Sequence, residues 1–282
     1  IKPDLGVITN IGEAHLENFK NLKGIAQAKS EIIENIKNGG TIVLNKDDKF
    51  FKFLSKKAKL YKLKVLTFGT HKKSDVLLKK TIKKKDTTKI FLNINYQSIE
   101  FEIKDLNIYN VLASIAVLYA LKIDPRKVLS KLKNFDLSEG RGKKYFIKRY
   151  NKKFNFIDDS YNANPLSVKN AISKLNSVKK NNFKKYLILG DMLELGSKSK
   201  KYHEELSKVI NNSDIDKVFI KGKKTIFTYK HLYKDKRGNI LQNNEDIDLS
   251  LSRIISNNDY LMIKGSNATG LNDFSKKMIR GN

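Results

Sequence analysis

The sequence contains no cysteine among its 282 residues. This absence excludes disulfide bonds, thiolate metal sites and cysteine nucleophiles. The sequence also lacks any run of about 18 consecutive apolar residues, the length that a membrane span requires, and it shows no signal peptide. We therefore expect a soluble, cytoplasmic protein that does not insert into a membrane.

Acidic residues are scarce relative to basic ones, with 29 Asp and Glu against 57 Lys and Arg and a formal net charge of +28. Such an excess is typical of proteins that bind nucleic acid or another polyanion. Here, however, the lysines are spread over the whole chain in short runs such as Lys143-Lys144, without the interleaved aromatic residues of a nucleic-acid surface. We favour solvated lysines and expect no nucleic-acid partner, with a basic nucleic-acid-binding protein kept as an alternative.

The length exceeds what one hydrophobic core usually organises, so two domains are expected. In the first half, residues 5–9, 41–45 and 64–68 read as strands, whereas 22–36 and 47–57 read as helices. Alternating strands and helices predict a parallel sheet. Three short apolar runs between Asp75 and Lys104 indicate a small antiparallel addition, and a strongly apolar helix follows over 107–121.

The alternation of strands and helices restarts after Asp136. Strands are predicted near 154–157, 186–189, 218–220 and 260–263, and Asn164-Pro165 is a typical helix start. We predict an α/β protein with two domains: residues 1–137 as part of a mostly parallel-sheet domain, and residues 138–282 as a complete doubly wound, Rossmann-like domain.

In open parallel sheets, ligands bind beyond the carboxyl ends of the strands, and the loops at those ends are polar here. The first loop carries His15, which taken alone is more typical of a surface histidine than of a metal ligand. Asp158 and Asp159 follow a predicted strand and suit a ribose hydroxyl, a cation or an ammonium group. The run from Lys264 to Ser266 can bind a phosphate or a carboxylate.

Five segments, taken together and in order, resemble the Mur ligases, and most of all the members that add D-alanyl-D-alanine. These segments are Ile8–Glu17, Gly24–Ile32, Asp158–Pro165, Leu189–Gly196 and Lys264–Ser266. The resemblance covers essentially the whole sequence. The family's N-terminal substrate domain and its glycine-rich phosphate loop have no counterpart in it, so it corresponds to the latter part of the central ATP-binding domain followed by the C-terminal domain. We expect these 282 residues alone to be inactive.

The resemblance implies an acid–amino-acid ligase of peptidoglycan precursor synthesis that uses ATP and Mg²⁺. Its substrates would be UDP-N-acetylmuramoyl-tripeptide and D-alanyl-D-alanine. The tripeptide carboxylate would attack the γ-phosphate to give an acyl phosphate, which the dipeptide amine would then attack. The full-length protein is expected to be a monomer. Another Mur ligase, or an enzyme similar to folylpolyglutamate synthase, is the alternative within the same fold.

Several residue roles follow from the resemblance. His15 would bind Mg²⁺, and Lys29 would become a carbamate that also binds the metal, although composition alone favours an ordinary exposed helix lysine. Asn107 and Asn110 would lie at the nucleotide, the second near the adenine. An N-cap followed by a polar helix residue explains this pair equally well.

The remaining roles lie in the second half. Arg141, between two glycines that also suit a hinge, would contact the nucleotide phosphates, and Asp159 would lie near the ribose. As a carboxylate at a strand end, Asp159 is expected to support little of the core. The residues expected to receive the peptide and dipeptide substrates are Asn162, Asn164, Asp191, Lys264 and Ser266. His203 resembles a family segment too, but an amphipathic helix surface explains it nearly as well.

Overall fold

A computed structural model describes residues 2–13, 16–19, 21–84, 87–104, 106–132 and 134–281. These residues divide into two units. Unit 1 comprises residues up to Gly12 together with those from Asn21 to Asp136, and unit 2 comprises the described residues between 13 and 19, with the short helix α1 (Leu16–Phe19), and those from Leu137 onward. Within this described part of the chain, no helix is both long enough and apolar enough to cross a membrane.

Unit 1 is built on one six-stranded sheet. Its strands are β1 (Leu5–Ile8), β2 (Thr41–Asn45), β3 (Lys64–Gly69), β4 (Val76–Lys83), β5 (Thr88–Ile94) and β6 (Gln97–Ile103). Neighbours in the sheet follow chain order, with β1 to β4 parallel and β4, β5 and β6 antiparallel. Both the parallel sheet and the antiparallel addition predicted from the sequence are confirmed, and the addition continues the same sheet.

Four helices accompany this sheet: α2 (Leu22–Asn35), α3 (Phe51–Leu60), α4 (Ile108–Ala120) and α5 (Arg126–Leu132). The helix predicted to begin at residue 47 begins instead at Phe51, so that prediction was wrong at its start. The cause is local hydrogen bonding: the Asp48 carboxylate accepts from the backbone N–H of Phe50 at 2.8 Å, and the Asp47 carboxylate is bonded to the loop after β3. Aspartates that bond the backbone in this way favour turns over helix interiors.

The sheet of unit 1 is covered on both faces. Successive side chains of a strand point to opposite faces, and in β2 the side chains of Ile42 and Leu44 join a core with α2 and α3, whereas Val43 joins the core under α4 and α5. All three are fully buried. A strand buried on both sides reads as a continuous apolar run, which is why residues 41–45 were recognisable as a strand.

Unit 2 contains a second six-stranded sheet and five further helices. The strands are β7 (Lys143–Arg149), β8 (Lys152–Asp159), β9 (Lys185–Gly190), β10 (Lys217–Lys221), β11 (Arg237–Ile240) and β12 (Tyr260–Lys264). The helices are α6 (Pro165–Asn176), α7 (Ser199–Asn211), α8 (Ile226–Lys230), α9 (Asn244–Ile254) and α10 (Leu271–Arg280). The strand order is β11-β10-β9-β12-β8-β7, parallel except for β7. The doubly wound α/β fold predicted for this half is confirmed.

Two strands of unit 2 were not predicted. Strand β7 pairs antiparallel with β8 across a two-residue turn at Tyr150 and Asn151, both at φ +54°. Such hairpin turns usually carry Gly or Asn-Gly, and Tyr-Asn gives no comparable signal. Strand β11 has only four residues, two of them Arg237 and Gly238, and therefore lacks an apolar run.

The predicted helix start at Asn164-Pro165 is confirmed. The Asn164 side chain accepts a hydrogen bond from the backbone N–H of Ser167 at 2.8 Å, and the Ser167 hydroxyl accepts from the Asn164 N–H at 3.0 Å. Pro165 occupies the first turn, where a missing N–H costs nothing. This capping fixes where α6 leaves the carboxyl edge of the sheet, and with it the loop that precedes the helix.

Candidate active site

Lys29 of helix α2 contacts the loop that follows β1. Its Nζ donates a hydrogen bond to the backbone oxygen of Asn10 at 3.0 Å. The side chain as a whole is exposed, yet desolvation around the ammonium group lowers the pKa of Lys29, and the nearby charge of Asp48 only partly opposes this. A lowered pKa increases the neutral fraction of the amine, which is the form that reacts with electrophiles.

Asp48 holds the same loop and was not predicted as a site residue. Its Oδ2 accepts from the backbone N–H of Ile11 at 2.7 Å. The loop is fixed further by Asn45, whose Nδ2 donates to the backbone oxygen of Thr9 at 3.1 Å. The ends of β1 and β2 are therefore joined by side-chain hydrogen bonds beside Lys29. The sequence signal that could have identified Asp48 is its place among the polar residues directly after β2.

A second polar cluster of unit 1 lies at the ends of β2 and β3. The Asp47 carboxylate accepts from the Thr70 N–H at 2.6 Å, the His71 N–H at 3.0 Å and the Tyr109 hydroxyl at 2.9 Å. Burial acts to raise the pKa of Asp47, but these hydrogen bonds outweigh it, and the pKa lies below its ordinary value. Asp47 is thus a stable anion that links the loop after β3 to the first turn of α4.

The two asparagines predicted at the nucleotide lie at the start of α4. Asn107 is the N-cap, and its Oδ1 accepts from the backbone N–H of Asn110 at 3.2 Å. Asn110 is exposed, and its side-chain amide has no hydrogen-bond partner among the residues that the structure describes. The capping explanation therefore holds for Asn107, while the Asn110 amide is available to a ligand.

Asp158 and Asp159 at the end of β8 have different surroundings. Asp158 is fully buried and accepts from the Gly140 N–H at 2.7 Å and from the hydroxyls of Ser160 and Ser275, each at 2.6 Å. All of these donors belong to the protein. Asp158 therefore anchors the 138–142 segment to the sheet, which leaves Asp159 as the aspartate of the pair with ligand-binding potential.

Asp159 and Lys264 form an ion pair, with 3.2 Å between Oδ2 and Nζ. Lys264 is 3% exposed, and its ammonium also donates to the backbone oxygen of Asn162 at 2.5 Å. Burial raises the pKa of Asp159 and lowers that of Lys264, and in each case the partner's charge opposes the shift without cancelling it. The ammonium thus holds the loop between β8 and α6 in place.

Arg141 lies above the ring of Tyr161, with 4.1 Å between the guanidinium carbon and the ring centroid. It is exposed, and its positive charge also lowers the pKa of Lys264. Three charged groups of unit 2 that the sequence predicted for ligand binding, Arg141, Asp159 and Lys264, therefore belong to one cluster beyond the ends of β8 and β12.

A pocket of about 350 Å³ lies in unit 2 at the carboxyl ends of β8, β9 and β12. Three predicted substrate residues line it: Asn162, Asn164 and Ser266. The remaining lining residues are Glu13, Tyr161, Ala163, Leu193, Glu194, Asn267 and Ala268. The structure thus brings these predicted residues together in a cavity large enough for a small peptide, with amide, hydroxyl and carboxylate groups on its walls.

Asp191, another of the five predicted substrate residues, is 7% exposed and bonded within the protein. Its carboxylate accepts from the backbone N–H groups of Lys224 at 3.0 Å and Thr225 at 2.7 Å. Gly222 approaches this carboxylate so closely that a Cβ there would lie 2.3 Å from Oδ1. In this structure Asp191 therefore joins the loop after β9 to the loop after β10, and its role towards a substrate stays a prediction.

His203 lies beneath the same loop and is fully buried. Its Nε2 accepts from the backbone N–H of Met192 at 3.1 Å, which puts the proton on Nδ1, 2.8 Å from the backbone oxygen of Ser199. Desolvation lowers its pKa, so the ring is neutral. The interpretation of His203 as part of an exposed helix surface was wrong, because the ring points into the unit and holds the loop.

A larger cleft of about 800 Å³ lies elsewhere in unit 2, at the amino ends of β9, β10 and β11. Its lining includes Lys184, Lys236 and Arg253 but none of the predicted site residues. Because ligands of open parallel sheets bind at the carboxyl edge, we assign the candidate site to the smaller pocket.

The predicted metal site is only partly described. His15 lies outside the described residues. Among those residues that are described, no group of three His, Asp or Glu side chains is arranged to hold a metal ion. Lys29 as a free ammonium cannot bind a cation, but its lowered pKa suits the formation of a carbamate, which would supply oxygen ligands of the kind that Mg²⁺ prefers.

Comparison with known proteins shows the family of this chain. Residues 1–118 match the family model of the Mur ligase middle domain, and residues 145–267 match the Mur ligase, glutamate ligase domain. The chain belongs to the Mur ligase family. A UDP-N-acetylmuramoyl-tripeptide--D-alanyl-D-alanine ligase from Bacillus subtilis is 30% identical over 286 residues, which cover 98% of this chain and 59% of that protein.

Solved structures of Mur ligases show the same fold. MurF from Acinetobacter baumannii matches with a TM-score of 0.82 at 25% identity, over 99% of this chain and 60% of that one. MurF from Thermotoga maritima, solved in complex with ADP, matches with a TM-score of 0.80 at 25% identity, over 99% and 63% of the two chains. The chain therefore spans about 60% of the length of the Mur ligases that it matches.

Proposed function

We propose that this chain contributes the latter part of the ATP-binding domain and the C-terminal domain of an ATP-dependent ligase that joins D-alanyl-D-alanine to UDP-N-acetylmuramoyl-tripeptide. The observation that carries the proposal is the pocket of unit 2, where Asn162, Asn164 and Ser266 meet at the carboxyl edge of the sheet. The similarity to a ligase of that name over 98% of this chain supports the same assignment.

The reaction has two steps with different demands. First, the tripeptide carboxylate attacks the γ-phosphorus of ATP, the bond to the β-phosphate oxygen breaks, and an acyl phosphate and ADP result. Then the dipeptide amine attacks the acyl carbon, inorganic phosphate leaves, and the amine loses a proton as the amide forms. Both steps gather negative charge on oxygens, so preorganised cations and N–H donors lower the barrier.

In unit 2, the positively charged guanidinium of Arg141 would bind the negatively charged phosphates of the nucleotide. Its guanidinium is exposed, and among the described residues it makes no ion pair. Asp159 would accept a hydrogen bond from the ribose through the oxygens that Lys264 leaves open. Lys264 is nearly fully buried, so we assign it to holding the loop that carries Tyr161 and Asn162 rather than to a direct substrate contact.

In unit 1, Lys29 would react as a neutral amine with carbon dioxide to form a carbamate and release a proton, and this anion would supply oxygen ligands to Mg²⁺. The metal would supply charge stabilisation at the phosphoryl oxygens. Asp48 bonds the Asn10–Gly12 loop through Ile11 and keeps the backbone oxygen of Asn10 against Lys29. Asn110 would offer its free amide to the adenine.

Two walls of the pocket favour an amine substrate. Glu13 and Glu194 bring carboxylates to it, and Asn162 and Asn164, on the loop after β8, bring side-chain amides. Carboxylates attract the ammonium of a dipeptide, and amide N–H groups can bind its terminal carboxylate. A cavity of about 350 Å³ also limits the size of the amine.

The test is an amine screen with the intact protein expressed from its complete gene. UDP-N-acetylmuramoyl-tripeptide and Mg-ATP are supplied with D-alanyl-D-alanine, L-alanine, D-glutamate or L-glutamate, and phosphate release and product mass are measured. We expect phosphate release and an amide product with the dipeptide only. Ligation of L-alanine or glutamate in its place would assign the protein to another branch of the fold.

A matched pair of variants tests the pocket itself. Asn162→Ala should raise the KM for the dipeptide without changing the melting temperature, because Asn162 is exposed and its side chain bonds only the adjacent backbone N–H of Ala163, while its backbone oxygen keeps the bond from Lys264. Asn170→Ala, at an exposed position of α6 outside the pocket lining, is the control and should leave KM unchanged. Equal KM values in both variants would exclude Asn162 from the dipeptide site.

A further inference from the structure

Tyr161 occupies a position between two parts of the site. One face of its ring carries the Arg141 guanidinium at 4.1 Å, and its side chain also lines the pocket of unit 2. The ring is 47% exposed, so it is not held in place by deep burial. Tyr161 lies within the polar loop that follows β8, but neither the sequence pattern nor the pocket residues predicted from it assign it a role.

The backbone around this stack is tightly determined. The Tyr161 N–H donates to the backbone oxygen of Gly140 at 3.1 Å, and the Gly140 N–H donates to Asp158 at 2.7 Å. Gly140 has a φ of +73°, and a Cβ added there would lie 2.8 Å from the Tyr161 Cβ. Only glycine permits this approach. The segment that carries Arg141 is therefore fastened directly to the residue on which Arg141 stacks.

The guanidinium of Arg141 is held by stacking rather than by a counterion. Among the described residues it has no carboxylate within ion-pair distance and no side-chain hydrogen bond. A cation–π contact restrains the guanidinium without using its N–H donors, which stay available to a phosphate. A long side chain with a free head loses considerable rotamer entropy when it binds, and an aromatic platform reduces that loss.

We propose that Tyr161 is a positioning residue: its ring presets the Arg141 guanidinium for the nucleotide phosphates while its edge forms a wall of the amine pocket. The proposal rests on the function assigned above to this site. It adds that one side chain serves both substrates, so that a change at Tyr161 alters the use of ATP as well as the use of the dipeptide.

The ring face and the hydroxyl make separable contributions. Tyr161→Phe keeps the platform and should leave the KM for ATP close to that of the unchanged protein. Tyr161→Leu fills the pocket wall but removes the π-face. We expect the KM for ATP to rise roughly three- to thirtyfold in this variant, the range that corresponds to a cation–π contact between exposed and desolvated limits. The KM for the dipeptide should rise as well.

The experiment measures KM for ATP, KM for the dipeptide and kcat in the intact protein with Tyr161→Phe, Tyr161→Leu, Arg141→Ala and the double variant of Tyr161→Leu with Arg141→Ala. Because Tyr161 acts on ATP through Arg141, the double variant should have the same KM for ATP as Arg141→Ala alone. Tyr233→Leu, at another exposed tyrosine, is the control for loss of a surface ring. Melting temperatures verify folding.

The outcomes separate this inference from the function on which it rests. If Tyr161→Phe and Tyr161→Leu give the same KM for ATP, or if the effects of Tyr161→Leu and Arg141→Ala multiply in the double variant, the positioning role is overturned although the ligase activity stands. If the unchanged protein ligates no dipeptide, the proposed function fails, and the positioning role that rests on it fails as well. A rise in KM for ATP with Leu, its rescue by Phe and non-additivity with Arg141→Ala together support the proposal.

Discussion

Asp159 and Lys264 are direct neighbours in the parallel ladder of β8 and β12, and their side chains form an ion pair at 3.2 Å. Both strands end at this pair, so the two charges lie at the carboxyl edge where the loops of the site begin. Desolvation raises the pKa of Asp159 and lowers that of Lys264, and both shifts favour the neutral form of the group. The pair therefore holds two loops in place without being a strong source of stability.

We predict that breaking this pair on one side costs more than removing it. Lys264→Met leaves a largely buried carboxylate without its counterion and should lower the free energy of unfolding on the order of 3 kcal/mol, the low end for a buried pair, since Asp159 retains 22% exposure. Adding Asp159→Asn should recover part of that loss. Urea denaturation of the unchanged protein, the two single variants and the double variant gives the coupling free energy between the two positions. Losses that are strictly additive would contradict the prediction.

The same variant should depend on pH in a defined direction. Lys264 lowers the pKa of Asp159, so Lys264→Met raises it further above the ordinary value of 3.8. A carboxyl with a raised folded-state pKa contributes stability that is fully present below its unfolded pKa and is lost as the pH rises through the folded value. The stability difference between Lys264→Met and the unchanged protein should therefore narrow as the pH is lowered through the raised folded-state pKa of Asp159 towards 3.8. A constant difference would show that Asp159 stays charged.

His203 should make unit 2 less stable in acid. Burial lowers its pKa below 6.5, with the Ser199 backbone and Asp191 opposing and Lys224 assisting. Its neutral form contributes stability that is complete above the unfolded pKa and is lost as the pH falls from there towards the folded value. We expect the urea concentration at the unfolding midpoint to decrease as the pH is lowered from about 7.5 to about 5. This decrease should be smaller in His203→Gln. His231→Gln, an exposed histidine, should retain the full dependence.

Asn164 serves as a helix cap, and this role can be separated from any role in binding. Asn164→Ala should lower the free energy of unfolding by about 1 kcal/mol, because the Ser167 N–H loses its acceptor. Asn164→Asp supplies an equivalent oxygen and should retain the stability. If Asn164→Asp keeps the melting temperature yet raises the KM for the dipeptide, the amide has a second role in the pocket; unchanged KM would confine Asn164 to capping.

Lys29 should be indispensable to ligation in the intact protein and dispensable to folding. Lys29→Ala removes the group proposed to become a carbamate, and short carboxylates such as acetate should restore part of the activity by replacing the anion. Lys23→Ala, an exposed lysine on the same helix, should be fully active. Full activity of Lys29→Ala, or loss that no carboxylate relieves, would remove the proposed role.

The sequence predicted the parallel strands that are buried on both faces, because such strands leave apolar runs, as in residues 41–45 and 186–189. It did not predict β7, since half of that strand faces outward with lysines and its turn uses Tyr150 and Asn151 in place of glycine. An exposed edge strand has few buried positions and therefore little apolar alternation in its sequence, so β7 is recognised only from its pairing with β8.

Within the site, the sequence predicted which residues belong to it more readily than which of those residues contact one another. The segments containing Asp159, Asn162 and Lys264 were identified from their place at or after the predicted strand ends. That Asp159 pairs with Lys264, 105 positions away in the chain, depends on the register of β8 against β12. The expectation that Asp159 supports little of the core stays a prediction, and its ion pair with Lys264 was not predicted. The stack of Arg141 on Tyr161 likewise requires the fold, because no spacing rule relates a loop arginine to a ring twenty positions later.

Strand β7 also bears on how copies of this protein avoid joining one another. It is the outermost strand of its sheet, and its outward face presents Phe146, which is 62% exposed, between Lys144 and Lys148. An open strand edge beside an apolar ring is a typical starting point for intermolecular β-pairing. Charged residues that flank an apolar residue on an exposed strand act as gatekeepers against such pairing, and the two lysines flank Phe146 in this way.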